Sequence, residues 1–537
     1  MRTQHTFSYP YWSLLLLAGI GMLYTSCSKD VVAPKPTVIT GGSTGGTTSD
    51  LRDTLADIAS VYYLWNSNIP KTFTPHSYSA TDTLFSEAEA IKTFSPLNAA
   101  TGNHYDHFSF ILTEADYQKE FVQGVSTSFG LGFSFDRNDT LRINYAAHAS
   151  AAYSQGVRRG WKILSINGIK IATDAATLNS LNNALNASSA TFAFQKPASD
   201  PTPNQNINIT LTKQDIPDDE VITTKVFQEG AKTVGYVAYN TFLTALDPKT
   251  GAPIHKGMDA SFATLQAAGI TDIVIDLRYN GGGYTQVAEQ MDNALLPASV
   301  NHQVLYKEHY NDTLNKYYNA GYKNVDHDTT ISINETNVAN PPKLTVNSIV
   351  FIVSQNTASA AELIINNLIP YFNGNVKLVG LGKGRRPTEQ NTAGKPFGYA
   401  GEFAMPQAKP IYEAFLINFE TKNSLSQDNY VSGFVPDVQV VDGVEYDFGN
   451  PNEDGLSKAL SYEATNSLSY NRPSNQLALS SRAGSAGSAG LLMNGSIQNH
   501  RFNGMIKRSA ITSARKKSLD YQQVSGGKIK PVNALKH

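Results

Sequence analysis

Residues 354–366 have the sequence SQNTASAAELIIN and directly follow the apolar run IVFIV at 349–353. An apolar run, a few small polar residues and then apolar positions at helical spacing predict a buried strand, a tight turn and a helix. Ser359 would lie at the N-terminus of that helix, where unpaired N–H groups and the helix dipole stabilise negative charge. On this stretch alone, Ser359 is either an ordinary N-cap serine or a nucleophile beside an oxyanion site.

Two other stretches favour the nucleophile. Residues 276–283 have the sequence DLRYNGGG at the end of a second predicted buried strand, and three consecutive glycines suit a cradle of backbone N–H groups. Residues 392–398, TAGKPFG, place Lys395 beside glycine in apolar company. Strands alternating with helices from about 216 to 464 predict an α/β core around these motifs.

These motifs, in this order, resemble those of the C-terminal processing peptidases (tail-specific proteases, serine peptidase family S41). In that family the serine lies in Thr-Ala-Ser-Ala-x-Glu, here 357–362; the glycines follow Asp-Leu-Arg-x-Asn, here 276–280; and the lysine closes Thr-x-Gly-Lys, here 392–395. The resemblance covers about 51–465. It implies protein or peptide substrates and no metal or other cofactor.

The resemblance also implies a role for each motif. Ser359 would be the nucleophile and Lys395 the general base, which must be uncharged to accept the serine proton. A free lysine has a pKa of about 10.4, so burial has to lower it. The oxyanion hole would consist of the N–H of Ala360 and that of Gly281 or Gly282.

The chain departs from the family pattern at two positions. Six residues past Gly380, where the family usually has its lysine, stands Arg386, which cannot act as a base. We assign Lys395 instead and treat 381–391 as a basic insertion; the alternative assignment gives an inactive enzyme. Many relatives have a glutamine four residues after the lysine, and Tyr399 stands there.

A strand-rich segment at about 123–215 resembles a PDZ domain, which the family inserts before its core. The resemblance rests on GLGF at 130–133 and GWKILSING at 160–168. It implies that the loop of Gly130, Leu131, Gly132 and Phe133 receives the carboxylate of a substrate C-terminus while the peptide pairs as an added strand.

The N-terminus predicts export and lipidation. Arg2 and His5 precede an apolar run at 12–23 that is too short for a membrane span but suits a signal peptide. It ends in LYTSC, which resembles a bacterial lipobox with Tyr24 in place of an aliphatic residue. We therefore expect Cys27 to be lipidated and the protein to be held at the cell envelope, on the periplasmic or outer-membrane face.

Composition excludes several other function classes. The 537 residues carry 43 Lys+Arg against 45 Asp+Glu, a net charge of -2, so the molecule lacks the basic excess of a nucleic-acid-binding protein. The basic residues concentrate after Asn471, which leaves an acidic body. Cys27 stands alone, which excludes an intramolecular disulfide and a cysteine zinc site. His104 and His107 are expected to line a turn rather than bind metal.

The predicted fold class is a multidomain α/β and α+β protein with an N-terminal helical region, a PDZ-like β-rich domain and an S41-type (ClpP/crotonase-like) core. The predicted segments are a signal peptide (1–26), a flexible tether (27–50), the helical region (51–120), the PDZ-like domain (123–215), the peptidase core (216–465) and a basic, disordered tail (466–537). Two alternatives remain open: an inactive peptide-binding scaffold of the same fold, and a glycan-binding lipoprotein that uses some of the 27 tyrosines.

Overall fold

The computed structural model describes residues 48–73, 84–99, 102–198, 200–247, 249–250, 252–322, 325–334, 341–382, 396–399, 402–405, 412–468 and 505–506. Three predicted site residues, Cys27, Arg386 and Lys395, lie outside these ranges, as does most of the predicted tail. Among the described residues, no helix is long and apolar enough to cross a membrane.

The N-terminal region packs into the core. Its elements are α1 (Thr48–Tyr62), α2 (Leu84–Lys92), β1 (Phe110–Thr113) and α3 (Glu114–Tyr117). The apolar face of α1, from Leu51 to Tyr62, is buried and belongs to the same apolar cluster as the helices of the core. β1 pairs with a core strand through Phe110 and Phe415. The region therefore has no separate hydrophobic core of its own.

Residues 125–217 form a small antiparallel module. Its elements are β2 (Val125–Ser128), β3 (Leu131–Phe135), β4 (Leu141–Ala146), α4 (Ala151–Ser154), β5 (Lys162–Ile166), β6 (Ile169–Lys170), α5 (Ala175–Asn186), β7 (Ser189–Gln195), β8 (Asn206–Thr212) and β9 (Gln214–Pro217). The main path of its sheet is β3-β4-β5-β7-β8, which leaves β3 at one edge. Asn167 and Gly168, both at positive φ, make the tight turn between β5 and β6 that their sequence predicts.

The remaining elements make up the core. They are β10 (Val221–Glu229), β11 (Lys232–Tyr239), α6 (Lys256–Ala267), β12 (Asp272–Asp276), β13 (Gly283–Tyr284), α7 (Thr285–Leu295), β14 (Val304–Tyr310), α8 (Asp312–Asn319), β15 (Thr329–Ser332), β16 (Ile349–Ser354), α9 (Ala360–Leu368), β17 (Val376–Gly382), β18 (Phe397–Gly398), β19 (Glu402–Met405), β20 (Tyr412–Phe415), β21 (Phe419–Asn423), β22 (Val438–Val441), α10 (Asp454–Thr465) and β23 (Met505–Ile506).

The central sheet of the core has the order β10-β11-β12-β16-β17-β22 and is parallel from β11 to β22. β12 and β16 are buried along their whole length, as expected for strands covered on both faces. α7 and α9 contribute to the apolar cluster on one face and α10 to the cluster on the other. Because neighbouring parallel strands end at the same edge, the turns after β12 and β16 meet there. The α/β fold class of the core is confirmed.

Candidate active site

Ser359 occupies the turn between β16 and α9 in an unusual backbone conformation. It precedes the first residue of α9 with φ 61° and ψ -113°, far from the helical and extended values that a serine normally adopts. Its side chain is fully buried, and Ser359 and Glu362 form a capping box at the start of α9. An N-cap residue ordinarily has extended backbone angles, so the strained conformation of Ser359 is typical of a functional residue rather than of a simple cap.

Some of the backbone N–H groups around Ser359 already donate hydrogen bonds within the protein, and others have no acceptor among the described residues. The Ser359 N–H donates to Glu362 Oε2 at 2.9 Å, which explains the glutamate of this motif. The Ala361 N–H donates to the Ala358 carbonyl at 3.2 Å. For the Ala360 N–H, at the first position of α9, no acceptor is found among the described residues. It is a donor of the kind that an oxyanion hole requires.

The glycine turn after β12 is hydrogen-bonded directly to the serine turn. The Ala358 N–H donates to the Asn280 carbonyl at 3.0 Å. The Asn280 side chain organises the turn: its Nδ2 donates to the Tyr239 carbonyl at 3.1 Å and its Oδ1 accepts from the Gly282 N–H at 2.8 Å. Of the two predicted glycine donors, Gly282 is therefore engaged, and the Gly281 N–H has no acceptor among the described residues.

Gly283 can only be glycine in this turn. Its φ is 139°, and a Cβ at this position would lie 2.1 Å from the carbonyl carbon of Phe242 and 2.2 Å from the Leu243 nitrogen. The close approach is fixed by two hydrogen bonds, from Phe242 N to Gly282 O (2.8 Å) and from Tyr284 N to Phe242 O (3.0 Å). The missing side chain lets the backbone at Phe242 and Leu243 pack directly against the glycine turn.

A network of charged side chains around Arg278 holds the glycine turn in place. The Arg278 guanidinium donates to Asp276 Oδ1 (2.9 Å) and to both carboxylate oxygens of Glu453 (2.8 and 2.9 Å), and it lies 3.0 Å from Asp442. Burial alone would raise the pKa of Asp442 and of Glu453. The facing guanidinium groups of Arg278 and Arg159 outweigh it and lower both pKa values. Asp276 and Arg278 thus hold the turn rather than face the serine hydroxyl.

The segment just after Lys395 is anchored beside the serine helix. The Pro396 carbonyl accepts from Thr421 N at 2.8 Å and from its Oγ1 at 3.0 Å, and β18 pairs with β21. β21 in turn contacts α9, because Asn423 Nδ2 donates to the Asn366 carbonyl at 3.2 Å. Tyr399, in place of the family glutamine, is buried and its hydroxyl donates to the Phe108 carbonyl at 2.7 Å.

At the GLGF loop of the small module, the backbone packs closely against Ser150. Gly130 has φ 72°, and a Cβ there would lie 2.2 Å from the Cβ of Ser150. Its N–H donates to Ser128 Oγ at 3.1 Å. Leu131 and Phe133 are buried in the module core, and Gly132 lies between them in the edge strand β3.

Two residues important to the site were not predicted from the sequence. Asn280 was noted only as part of a motif, although its amide organises the turn. Arg159, in the module, is buried and donates to Tyr279 Oη at 2.7 Å and to Asp442 Oδ1 at 2.6 Å. No spacing rule could have joined Arg159 to Asp442, which is far along the chain.

The two histidines bond to backbone carbonyls. His104 Nδ1 lies 2.7 Å from the Ser95 carbonyl, and His107 Nδ1 lies 3.3 Å from the His104 carbonyl. Within the described ranges, no group of three or more His, Cys, Asp or Glu side chains is placed to hold a metal ion.

The site lies inside a region with a recognisable family signature. Residues 233–391 match the model of peptidase family S41, a range that includes the glycine turn and Ser359 and ends four residues before Lys395. The chain contains an S41 peptidase domain. The function class that follows for this domain is a peptidase, in agreement with the sequence-based prediction. No match is found among curated proteins.

The chain is similar to several solved structures. A "Putative S41 protease from Bacteroides fragilis NCTC 9343" is 21% identical, with 78% of this chain and 97% of that chain covered and a TM-score of 0.58. The photosystem II D1 C-terminal processing protease is 17% identical, with 78% and 98% covered and a TM-score of 0.42. Mature CPAF complexed with lactacystin is 12% identical, with 78% and 97% covered and a TM-score of 0.43. The first of these carries the fold comparison.

Proposed function

We propose that this protein is a serine endopeptidase of the cell envelope in which Ser359 attacks the peptide carbonyl and Lys395 accepts its proton. The observation that carries the proposal is the buried Ser359 side chain, held at positive φ beside the glycine turn by the Ala358–Asn280 hydrogen bond. Nucleophiles at strained strand-to-helix turns are exposed to the reacting carbonyl by that strain.

The oxyanion hole of this proposal consists of the N–H groups of Ala360 and Gly281. Both belong to turns that are joined by the Ala358–Asn280 hydrogen bond. The amide of Gly282 is excluded from the proposal because it already donates to Asn280. Two preorganised donors of this kind stabilise the tetrahedral intermediate, and removal of one typically costs about 10²–10³ in kcat.

Lys395 is supported as the base by the anchoring of the residues that follow it. Pro396 is bonded to Thr421 on β21, and β21 is bonded to α9, the helix that begins just after Ser359. Pro396, the residue after Lys395, is thus tied to a strand that contacts the nucleophile helix. Arg386 at the same place would leave the serine without a proton acceptor.

Substrate selection would use the edge strand of the small module. β3 has a strand neighbour on one side only among the described residues, and the positive-φ Gly130 opens the loop before it. An extended peptide can add to such an edge and place its terminal carboxylate at the loop. Tighter binding of a peptide acid than of the matched peptide amide would support this role, and equal binding would remove it.

The proposal places the enzyme on a membrane surface through a lipid on Cys27. It rests on the apolar run at 12–23 and the LYTSC sequence that ends in this cysteine. Membrane fractionation tests it: the parent protein should sediment with membranes and Cys27→Ser should not. Equal distribution of the two would end the lipid-anchor proposal.

Hydrolysis of an unstructured protein with an apolar C-terminus tests the catalytic proposal. The parent should degrade it, Ser359→Ala should not, and Ser180→Ala, on the exposed face of α5, should match the parent. Circular dichroism is the check that each variant is folded. A folded parent protein that degrades nothing while it still binds the substrate C-terminus would favour the inactive scaffold.

A further inference from the structure

The C-terminal part of the chain contributes a strand to the candidate active site. Met505–Ile506, which we call the tail strand, pairs in parallel with Gly283–Tyr284: Met505 lies opposite Gly283 and Ile506 opposite Tyr284. Gly283–Tyr284 follows the glycine turn directly, and its other neighbour is Phe242, which bridges to Gly283. The tail strand therefore pairs with the short strand that directly follows the glycine turn.

The tail strand also lies close to the segment that follows the predicted base. It contacts β18, Phe397–Gly398, which begins two residues after Lys395. One of the two elements that it approaches follows the glycine turn in sequence, and the other follows the TAGK motif. The tail strand is therefore an extended segment between two of the three motifs of the candidate site.

Ser359 and the glycine turn are covered in this structure. Residues 281–284 and Ser359 are all buried. A substrate strand cannot reach a buried hydroxyl unless a covering segment leaves. The tail strand is a described segment that pairs with this edge as a parallel strand, and strand pairing relies on main-chain groups that every residue except proline supplies.

Charge favours the association of the tail with the rest of the chain. Residues 471–537 carry 11 Lys+Arg and 1 Asp+Glu, while the rest of the chain carries 32 and 44. The tail strand is flanked in sequence by Arg501 on one side and by Lys507 and Arg508 on the other. Opposite net charges on two parts of one chain raise the rate and the probability of their encounter.

We infer that Gly283–Tyr284 is the edge on which an extended substrate strand docks, running parallel to it, and that the tail strand is an intramolecular competitor for this edge. The inference rests on the proposed peptidase function, which it deepens by assigning the substrate-strand site and its regulation. A tethered segment has an effective concentration of roughly 1 mM. With a Kd of about 0.1 mM, it would lower kcat/KM about tenfold.

The test uses the full chain with the double substitution Met505→Pro and Ile506→Pro. Proline removes the N–H donors on which strand pairing depends and leaves the length and charge of the tail unchanged. Ser496→Pro, outside the tail strand, is the matched control. We expect the double variant to raise kcat/KM on an unstructured polypeptide about tenfold, mainly through a lower KM, and the control to match the parent.

A binding measurement separates this inference from the proposed function. A fluorescein-labelled synthetic peptide of residues 500–511 is titrated into the double variant carrying Ser359→Ala, and anisotropy is recorded. Binding of this peptide, together with loss of binding when its residues 505 and 506 are proline, supports the strand site even if no variant hydrolyses anything. Absence of binding, or equal binding of the proline peptide, overturns the inference whatever the hydrolysis assay shows.

Discussion

The Arg159 guanidinium, in the small antiparallel module, donates a hydrogen bond of 2.7 Å to the hydroxyl of Tyr279, the residue that precedes Asn280 in the glycine turn. Arg159 also donates to Asp442, and so does the Tyr279 hydroxyl. The module that is proposed to bind substrate C-termini is therefore linked by buried polar contacts to the turn that is proposed to form the oxyanion hole.

Arg159→Met should destabilise the protein and impair hydrolysis. The change leaves the partly buried Asp442 carboxylate without one of its two guanidinium partners, and breaking a buried ion pair costs about 3–5 kcal/mol, which is an upper bound here. Arg158→Met is the matched control, because Arg158 bonds only to carbonyls of its own module (Tyr153 and Val157) in the described contacts. Urea denaturation should show a loss below about 1 kcal/mol for the control. Equal losses would mean that the contact to Tyr279 and Asp442 is not special.

Gly283→Ala should abolish hydrolysis and lower the melting temperature. Its Cβ would collide with the backbone of Phe242 and Leu243, so the turn would have to move away from Ser359. Gly156→Ala is the control for positive φ alone, since Gly156 has φ 90° and no atom within 4 Å of its would-be Cβ. That control should cost about 1 kcal/mol and keep parental activity. A Gly283→Ala enzyme with parental kcat/KM would show that the turn does not need its observed geometry.

Glu220 should make the protein less stable as the pH rises from about 4.5 to 7. Burial raises the pKa of Glu220 to about 7, and the nearby Asp259 carboxylate acts in the same direction. Hydrogen bonds from the Gly257 amide and the Tyr239 hydroxyl oppose this shift but do not cancel it. The folded state therefore keeps a proton that the unfolded chain has already lost, so stability falls through this interval.

Glu220→Gln removes this effect. Relative to the parent, the variant should gain about 2 kcal/mol in unfolding free energy between pH 5 and pH 8. Glu89→Gln, at an exposed side chain, should follow the parent at both pH values. Urea melts at the two pH values measure the difference. An unchanged difference between parent and Glu220→Gln would mean that Glu220 is ionised in the folded protein throughout the range.

Lys395 and Arg386 are the two candidates for the general-base position, and substitutions at them should affect hydrolysis in opposite ways. Lys395→Ala and Lys395→Arg should both abolish hydrolysis, because an arginine retains the charge but cannot accept the serine proton near neutral pH. Arg386→Ala should retain it. Hydrolysis rates of the three folded variants decide the assignment, and activity in Lys395→Arg would rule out Lys395 as the proton acceptor.

The sequence predicted the parts of this molecule whose signals are local. The helix near residue 51, the buried strands β12 and β16 and the serine at the start of α9 follow from apolar spacing and turn chemistry, and all are found. The shared core of the N-terminal region and the α/β domain, with β1 paired to β20, was not predicted because strand partners far apart in sequence leave no local signal.

The same limit applies to the site. The strand at Met505–Ile506 lies in a segment whose composition predicts disorder, and it forms by pairing with Gly283–Tyr284 rather than by its own propensity. Asn280 and Arg159 take their roles from neighbours that only the fold supplies. Motif order could identify Ser359 and the glycine turn, but not which of the glycine amides remains available.

The most direct test of the account is to trap the covalent intermediate. The protein is mixed with an activated peptide ester, quenched in acid within the first turnover and digested, and the peptide containing residue 359 is analysed by mass spectrometry. The account predicts an acyl group on Ser359 in the parent protein and none in Ser359→Ala, which should also lack hydrolysis. Turnover of the ester by a folded Ser359→Ala variant at the parental rate would contradict it.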